Sequence, residues 1–287
     1  MEGYDETGRS YETLVLLLLV CLSLSGCGTK FVYDNADWIA IRFVGEFVEL
    51  NDNQQEVISF AIEDASVWHR REEIPAYIAE LNQILLISPS TFTEAQFISH
   101  EARWRQFSIQ LLDKFYPVVM LLIASMSDAQ VEQFMNALRV RHVQFKHQRE
   151  FEDEAELITL YKKRISENLE DWLGPLTSSQ WKVIDAWASD LQVTTPLWFE
   201  YQTKLRVELI RLFSQRHNPD KLAALLNSLL YSPELFYSDQ LDKRIEHNST
   251  IGRAYLVEVI NLMTEQQTQY FRDEVRSWRD ILAELLD

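Results

Sequence analysis

The sequence predicts an all-α fold: an irregular bundle of about ten helices, one or two of them long, behind a cleaved leader. Three observations carry this. Glycine is scarce, with 7 in 287 residues, and three of them (Gly3, Gly8, Gly26) precede Cys27. A body with so few glycines has few tight turns, and strand-rich folds need many. No useful stretch alternates apolar and polar residues. One helix-start signal recurs five times: a hydrophobe, then Asn, Ser or Thr, then Gln three residues on.

These starts are Leu50-Asn51…Gln54, Phe92-Thr93…Gln96, Met126-Ser127…Gln130, Leu176-Thr177…Gln180 and Met263-Thr264…Gln267. Each reads as a capping box, in which the short side chain accepts from a free first-turn amide. The glutamine reaches back to the amide of the cap residue. Phe92 with Phe97, Met126 with Val131 and Leu176 with Trp181 have the spacing of hydrophobic staples. The boxes start at irregular intervals of 42, 34, 50 and 87 residues, which disfavours a regular solenoid.

Prolines mark further boundaries. Thr195-Pro196, Asn218-Pro219 and Ser232-Pro233 place a cap residue before a first-turn proline. Pro75 reads as a helix start, Gly174-Pro175 as a stop, and Pro117 as a kink or break. The expected helices are 35–48, 51–72, 75–87, 93–125, 127–173, 177–192, 195–217, 219–230, 233–247, 251–262 and 264–286. The expected body spans 35–287, and the best candidate for a subdivision is 174–176.

Ahead of the body, Leu14 to Leu24 read LVLLLLVCLSL. A run of 11 residues is too short to cross a bilayer as a helix but suits a signal-peptide core. Leu24-Ser25-Gly26-Cys27 follows directly and resembles the lipobox of bacterial lipoproteins. The resemblance implies cleavage before Cys27, leaving 1–26 as signal peptide, and diacylglycerol on the Cys27 thiol with palmitate-type acyl chains. Gly28 stands where aspartate favours inner-membrane retention in Gram-negative lipoproteins. The expected location is therefore the cell outer membrane, facing the periplasm. The segment before the apolar run departs from the usual pattern: it carries Glu2, Asp5, Glu6 and Glu12 against Arg9 alone.

Residues 27–34 read as a lipidated tether, at most roughly 25 Å long if extended. It holds Phe31, Tyr33 and Trp38 close enough to rest at the membrane interface or to pack on the core.

The formal net charge is −17, and −14 once residues 1–26 are removed. An acidic body argues against nucleic acid as a main partner. Cys21 and Cys27 are the two cysteines, so the body has no disulfide framework, thiol nucleophile or thiolate zinc site. No metal spacing, GxSxG or phosphate loop is recognisable, and no cofactor is expected.

Three segments concentrate polar chemistry. Trp68, His69 and Arg71 read as part of a binding groove, or as cations at a helix C-terminus. Tyr33, Asp37 and Trp38 read as a ligand-positioning segment, or as a helix start with Asp37 in the favourable first turn. Arg139, Arg141, His142, Lys146, His147 and Arg149, followed by Glu150, Glu152, Asp153, Glu154 and Glu156, read as a docking helix or a solvated face.

YDNADW (33–38), LNDNQQ (50–55) and WHRREEIPAY (68–77), just after the lipobox, resemble an uncharacterised family of all-helical Gram-negative lipoproteins, most clearly over 24–85. That family supplies no activity to carry over. Leu176-Thr177-Ser178-Ser179-Gln180 is also similar to the LTxxQ motif of small periplasmic envelope-stress chaperones, although a capping box accounts for it. Two functions stand: a non-catalytic envelope lipoprotein whose body binds another envelope protein as scaffold or chaperone-like factor, and an envelope enzyme acting on peptidoglycan through carboxylates gathered by the fold.

Overall fold

A computed structural model describes residues 27–149 and 152–286. The leader, including Leu24-Ser25-Gly26, and Glu150 of the charge run lie outside the described residues. Every regular element among the described residues is helical, with no strand among them. In order they form α1 (Cys27–Asp34), α2 (Ala36–Gly45), α3 (Asp52–Trp68), a π-helical turn (His69–Glu73) and α4 (Ile74–Leu85). Then come α5 (Glu94–Ser125), α6 (Asp128–Arg149), α7 (Glu154–Leu173), α8 (Ser178–Asp190), α9 (Thr195–Ser214), α10 (Pro219–Tyr231), α11 (Asp239–Asn261) and α12 (Glu265–Glu284).

The chain forms two compact units, each assembled from three separate segments. Of the described residues, unit 1 takes 27–70, 111–149 and 199–236; unit 2 takes 71–110, 152–198 and 237–286. The subdivision considered at 174–176 thus falls inside unit 2.

In unit 1, α2 packs on α3. Val48, Met126 and Phe213 are buried together, with Val131, Phe134 and Leu209 against them. Leu212, Leu222 and Leu226 form a second cluster, completed by Tyr116, Met120 and Ile123 of α5. α5 is long and apolar enough to cross a membrane by length and composition, with mean hydropathy 1.5 in its most apolar window. Its Tyr116, Met120 and Ile123 nevertheless serve this core. In unit 2, α7, α8 and α11 enclose Leu169, Leu173, Val183, Ile184 and Val259, while α12 packs on both α4 and α7. Each such side chain, removed from water, stabilises its unit by about 1.5–3 kcal/mol.

All five capping boxes form. Asn51 Oδ1, Thr93 Oγ1, Ser127 Oγ, Thr177 Oγ1 and Thr264 Oγ1 each accept from the backbone N–H of the glutamine three residues on. Each glutamine Oε1 accepts from the backbone N–H of its cap residue. Two of the three staples are visible, since Met126 with Val131 and Leu176 with Trp181 share core clusters.

Four of these boxes do more than start helices. In unit 2 the two helix starts of α8 and α12 meet, and their glutamines exchange hydrogen bonds. Gln180 Nε2 donates to Gln267 Oε1 (3.2 Å), and Gln267 Nε2 donates to Gln180 Oε1 (2.9 Å). The second N–H of each amide reaches a backbone carbonyl, at Val259 and Pro175 respectively. Each buried amide thereby has partners for both donors and its acceptor, the condition under which a buried polar network stabilises. Unit 1 repeats the device between α3 and α6. Gln54 and Gln130 exchange the same pair of bonds (3.2 and 2.6 Å), with Ser125 Oγ and the Glu49 carbonyl as outer acceptors. Four of the five starts in the aperiodic series are therefore two matched pairs, one per unit.

Three expected helix boundaries are corrected. The span 127–173 is two helices, because Asp153 and Glu156 form a further capping box that begins α7. The expected break between 247 and 251 is absent: α11 runs through Gly252, where the ring of Trp187 packs 3.4 Å from where a Cβ would stand. The residues from Pro233 to Phe236 form only a 3-10 turn. The expected helix 93–125 forms as α5, with Pro117 inside it. Residues 27–34 form α1 and as a helix span about 12 Å.

Candidate functional site

Of the sequence candidates, Tyr33 and His69 come together in unit 1, where α1 meets the end of α3. Tyr33 points inward. Its hydroxyl donates to the Ser66 carbonyl (3.1 Å) and lies 3.3 Å from His69 Nδ1. Arg70 stacks over the Tyr33 ring at 4.8 Å and pairs with Asp34 at 3.3 Å. Burial holds the His69 imidazole down to about pKa 4 and pushes the Tyr33 phenol up from its ordinary value, so both are neutral at pH 7. A neutral imidazole, a neutral phenol and a paired guanidinium make a clasp that fixes α1 to α3.

The other candidates fall outside that clasp. Trp68 sits beside His69, with Lys114 Nζ 5.7 Å from its ring centre. Asp37 lies in the first turn of α2, and Asn35, the residue before that helix, makes no side-chain cap bond. Trp38 faces outward, 54% exposed, with Arg42 stacked on it at 5.4 Å. Arg71 is exposed and belongs to unit 2. Trp68 ends α3, and His69–Glu73 form a π-helical turn leading directly into α4, the kind of insertion that recurs at functional sites.

The basic run of α6 is partly used within unit 1. Arg141 pairs with Glu46 (2.5 Å) and stacks on Phe47 (4.0 Å). His142 is buried, and Arg206 Nη1 donates to its Nδ1 at 2.8 Å. Burial and the Arg206 charge hold His142 down to about pKa 4.

Sequence reasoning missed a buried titratable row in unit 2. Glu73, Tyr77 and Glu80, at helical spacing, are all buried. Glu80 meets His100 at 2.5 Å, while Tyr77 packs on Trp104 and Phe107. Glu73 Oε2 has no hydrogen-bond partner, and burial raises the pKa of this carboxyl. The i, i+4, i+7 spacing was the available signal. Among the described residues, no three His, Cys, Asp or Glu side chains converge to hold a metal. An apolar cleft in unit 2, lined by Ile84, Ile87, Phe92, Leu173, Ile260 and Met263 among others, carries Arg272 as its one charged side chain.

Fold and site together define an all-helical protein of two units, each closed by a paired-glutamine clamp. A family model described as a family of unknown function (DUF6279) matches residues 46–244, and the chain belongs to that family. No curated protein and no solved structure matches the chain.

Proposed function

We propose that this chain is a lipid-anchored envelope lipoprotein, held at the outer membrane facing the periplasm, whose helical body binds another envelope protein and catalyses nothing. The observation that carries the reading is Leu24-Ser25-Gly26-Cys27 placed directly after an 11-residue apolar run. The small residues admit an extended backbone to a peptidase, and the thiol takes the lipid. Two or three acyl chains anchor stably where one is marginal.

Support for the binding role comes from unit 1. α6 and α9 lie side by side, joined by Phe134 with Phe213, His142 with Arg206 and Phe145 with Phe199. They leave Val140, Val143, Val207 and Ile210 each 45–58% exposed. Exposed β-branched side chains on neighbouring helices form the kind of apolar surface that partner proteins cover.

Two experiments test the reading. Mass spectrometry of the mature protein should find Cys27 as an acylated first residue, and Cys27→Ala should lose lipid labelling. An unmodified Cys27, or an intact leader, refutes the anchor. For the partner, crosslinking in intact cells should recover one stoichiometric envelope protein, and Val143→Asp should abolish its recovery. Cell-wall breakdown by the purified protein, with no partner recovered, replaces the binding role with the peptidoglycan-enzyme alternative.

A further inference from the structure

The segment read as a tether is helical, and its exposed side chains fall on one line. Along α1 and α2 the exposed positions include Phe31, Asp34, Trp38 and Arg42, spaced 3, 4 and 4. That is a single helical stripe, since α1 and α2 are joined by near-continuous helical hydrogen bonds through Asn35. Cys27, the first residue of α1, lies one turn before Phe31. Phe31 is 61% exposed and Trp38 54%, whereas Tyr33, the aromatic between them, is turned inward by its bond to Ser66.

α3 also exposes apolar side chains: Phe60 and Val67, seven residues apart and so on one face, are 71% and 63% exposed, with the exposed acids Glu63 and Asp64 between them and Asp64 paired with Lys114. Arg70, one turn beyond Val67, reaches the α1–α2 stripe through its ion pair with Asp34. That pair neutralises the one carboxylate on the α1–α2 stripe. Lys30 and Arg42 remain as exposed cations at either end, within a chain whose net charge is −17.

We infer that this face of α1 and α2, with Phe31 and Trp38 as its anchors, lies in the plane of a phospholipid bilayer. The inference rests on the lipoprotein reading. Acyl chains on Cys27 hold the start of the stripe at the membrane surface, and a helix of about 1.5 Å rise per residue cannot carry Phe31 more than one turn away. An indole and a phenyl ring exposed at that distance are favoured at the headgroup level, where an apolar body and a polar edge are both accommodated. Lys30 and Arg42 match the negative potential of anionic headgroups, which the acidic remainder of the chain opposes. Unit 1 is therefore docked flat on the membrane rather than swinging on a flexible leash.

The test uses the full, lipidated protein reconstituted in vesicles of phosphatidylethanolamine and phosphatidylglycerol containing brominated phospholipid. Bromine quenches indole emission only at short range. The expected result is quenching in the native protein that falls at least twofold in Trp38→Phe and returns when Phe31→Trp is added to that variant. Mass spectrometry of the same sample reports on Cys27. Acylated Cys27 with quenching unchanged by Trp38→Phe overturns the inference and leaves the lipoprotein reading standing, as when another protein covers this face. An unacylated Cys27 overturns both.

Discussion

At the scale of single residues, burial without counter-charge governs the titratable groups. His69 and His142 have folded pKa values held to about 4, against about 6.5 in an unfolded chain. Between those values the unfolded state binds more protons than the folded one, so folding stability drops as the solution is acidified. It is level above about pH 6.5, declines towards pH 4, and these groups take nothing further below that. Urea unfolding should show a loss of about 1–2 kcal/mol per histidine between pH 7 and 5. His142→Gln keeps an acceptor for Arg206 but removes the proton, and should flatten part of that slope. Glu73 has the opposite sign. Its carboxyl is raised by burial, so ionisation opposes folding at neutral pH, and the opposition fades as pH falls through the folded pKa. Glu73→Gln should therefore raise stability at pH 7 in urea unfolding and lose that advantage as the pH falls into the ordinary carboxylate range. Position along the chain showed neither role: His142 reads as one cation among six, and Glu73 as one acid in a polar cluster. Which side of a helix faces inward depends on the helix it packs against.

At the scale of elements, the capping boxes were legible because a cap is local, needing only a side chain and an amide three residues away. The Gln180–Gln267 clamp was not, since its halves are 87 residues apart in sequence. Gln180→Ala removes a cap bond and strands a buried Gln267 amide, and should cost about 2–4 kcal/mol in chemical denaturation. A double-mutant cycle with Gln267→Ala should show positive coupling, because the second removal leaves less to strand. Uncoupled effects would mean that the two boxes act independently. Asp153 with Glu156 was overlooked because the acidic run 150–156 conceals an N-cap among residues expected on a solvated face. The expected gap at 248–250 has a similar origin. Asn248-Ser249-Thr250 has the composition of a turn, but α11 runs through it, and the Trp187 ring packs at Gly252 just beyond. Since that contact is of ordinary length, Gly252→Ala should be tolerated and should stabilise by up to about 1 kcal/mol through helix propensity, whereas Gly252→Leu should destabilise. Thermal melts of both variants check this.

At the scale of the whole molecule, the chain passes from one unit to the other five times, so neither unit is a contiguous stretch. A cut at 174–176 divides unit 2 through the core where Leu169 and Leu173 meet Val183 and Val259. Fragments 27–174 and 177–287 expressed separately should each lack a protease-resistant unit 2, whatever the fate of unit 1. A stable, cooperatively melting 177–287 fragment would show that the core is divided differently.

Helix content and most helix starts were readable from order alone, because each depends on composition or on residues within a few positions of one another: sparse glycine, and a polar cap three residues before glutamine. The pairing of caps into clamps, the interleaving of the chain into two units, and the turning of Tyr33 inward while Phe31 and Trp38 face out are set by contacts between segments distant in sequence. Helical periodicity identifies residues that share a face. Only the packed neighbours determine whether that face is buried.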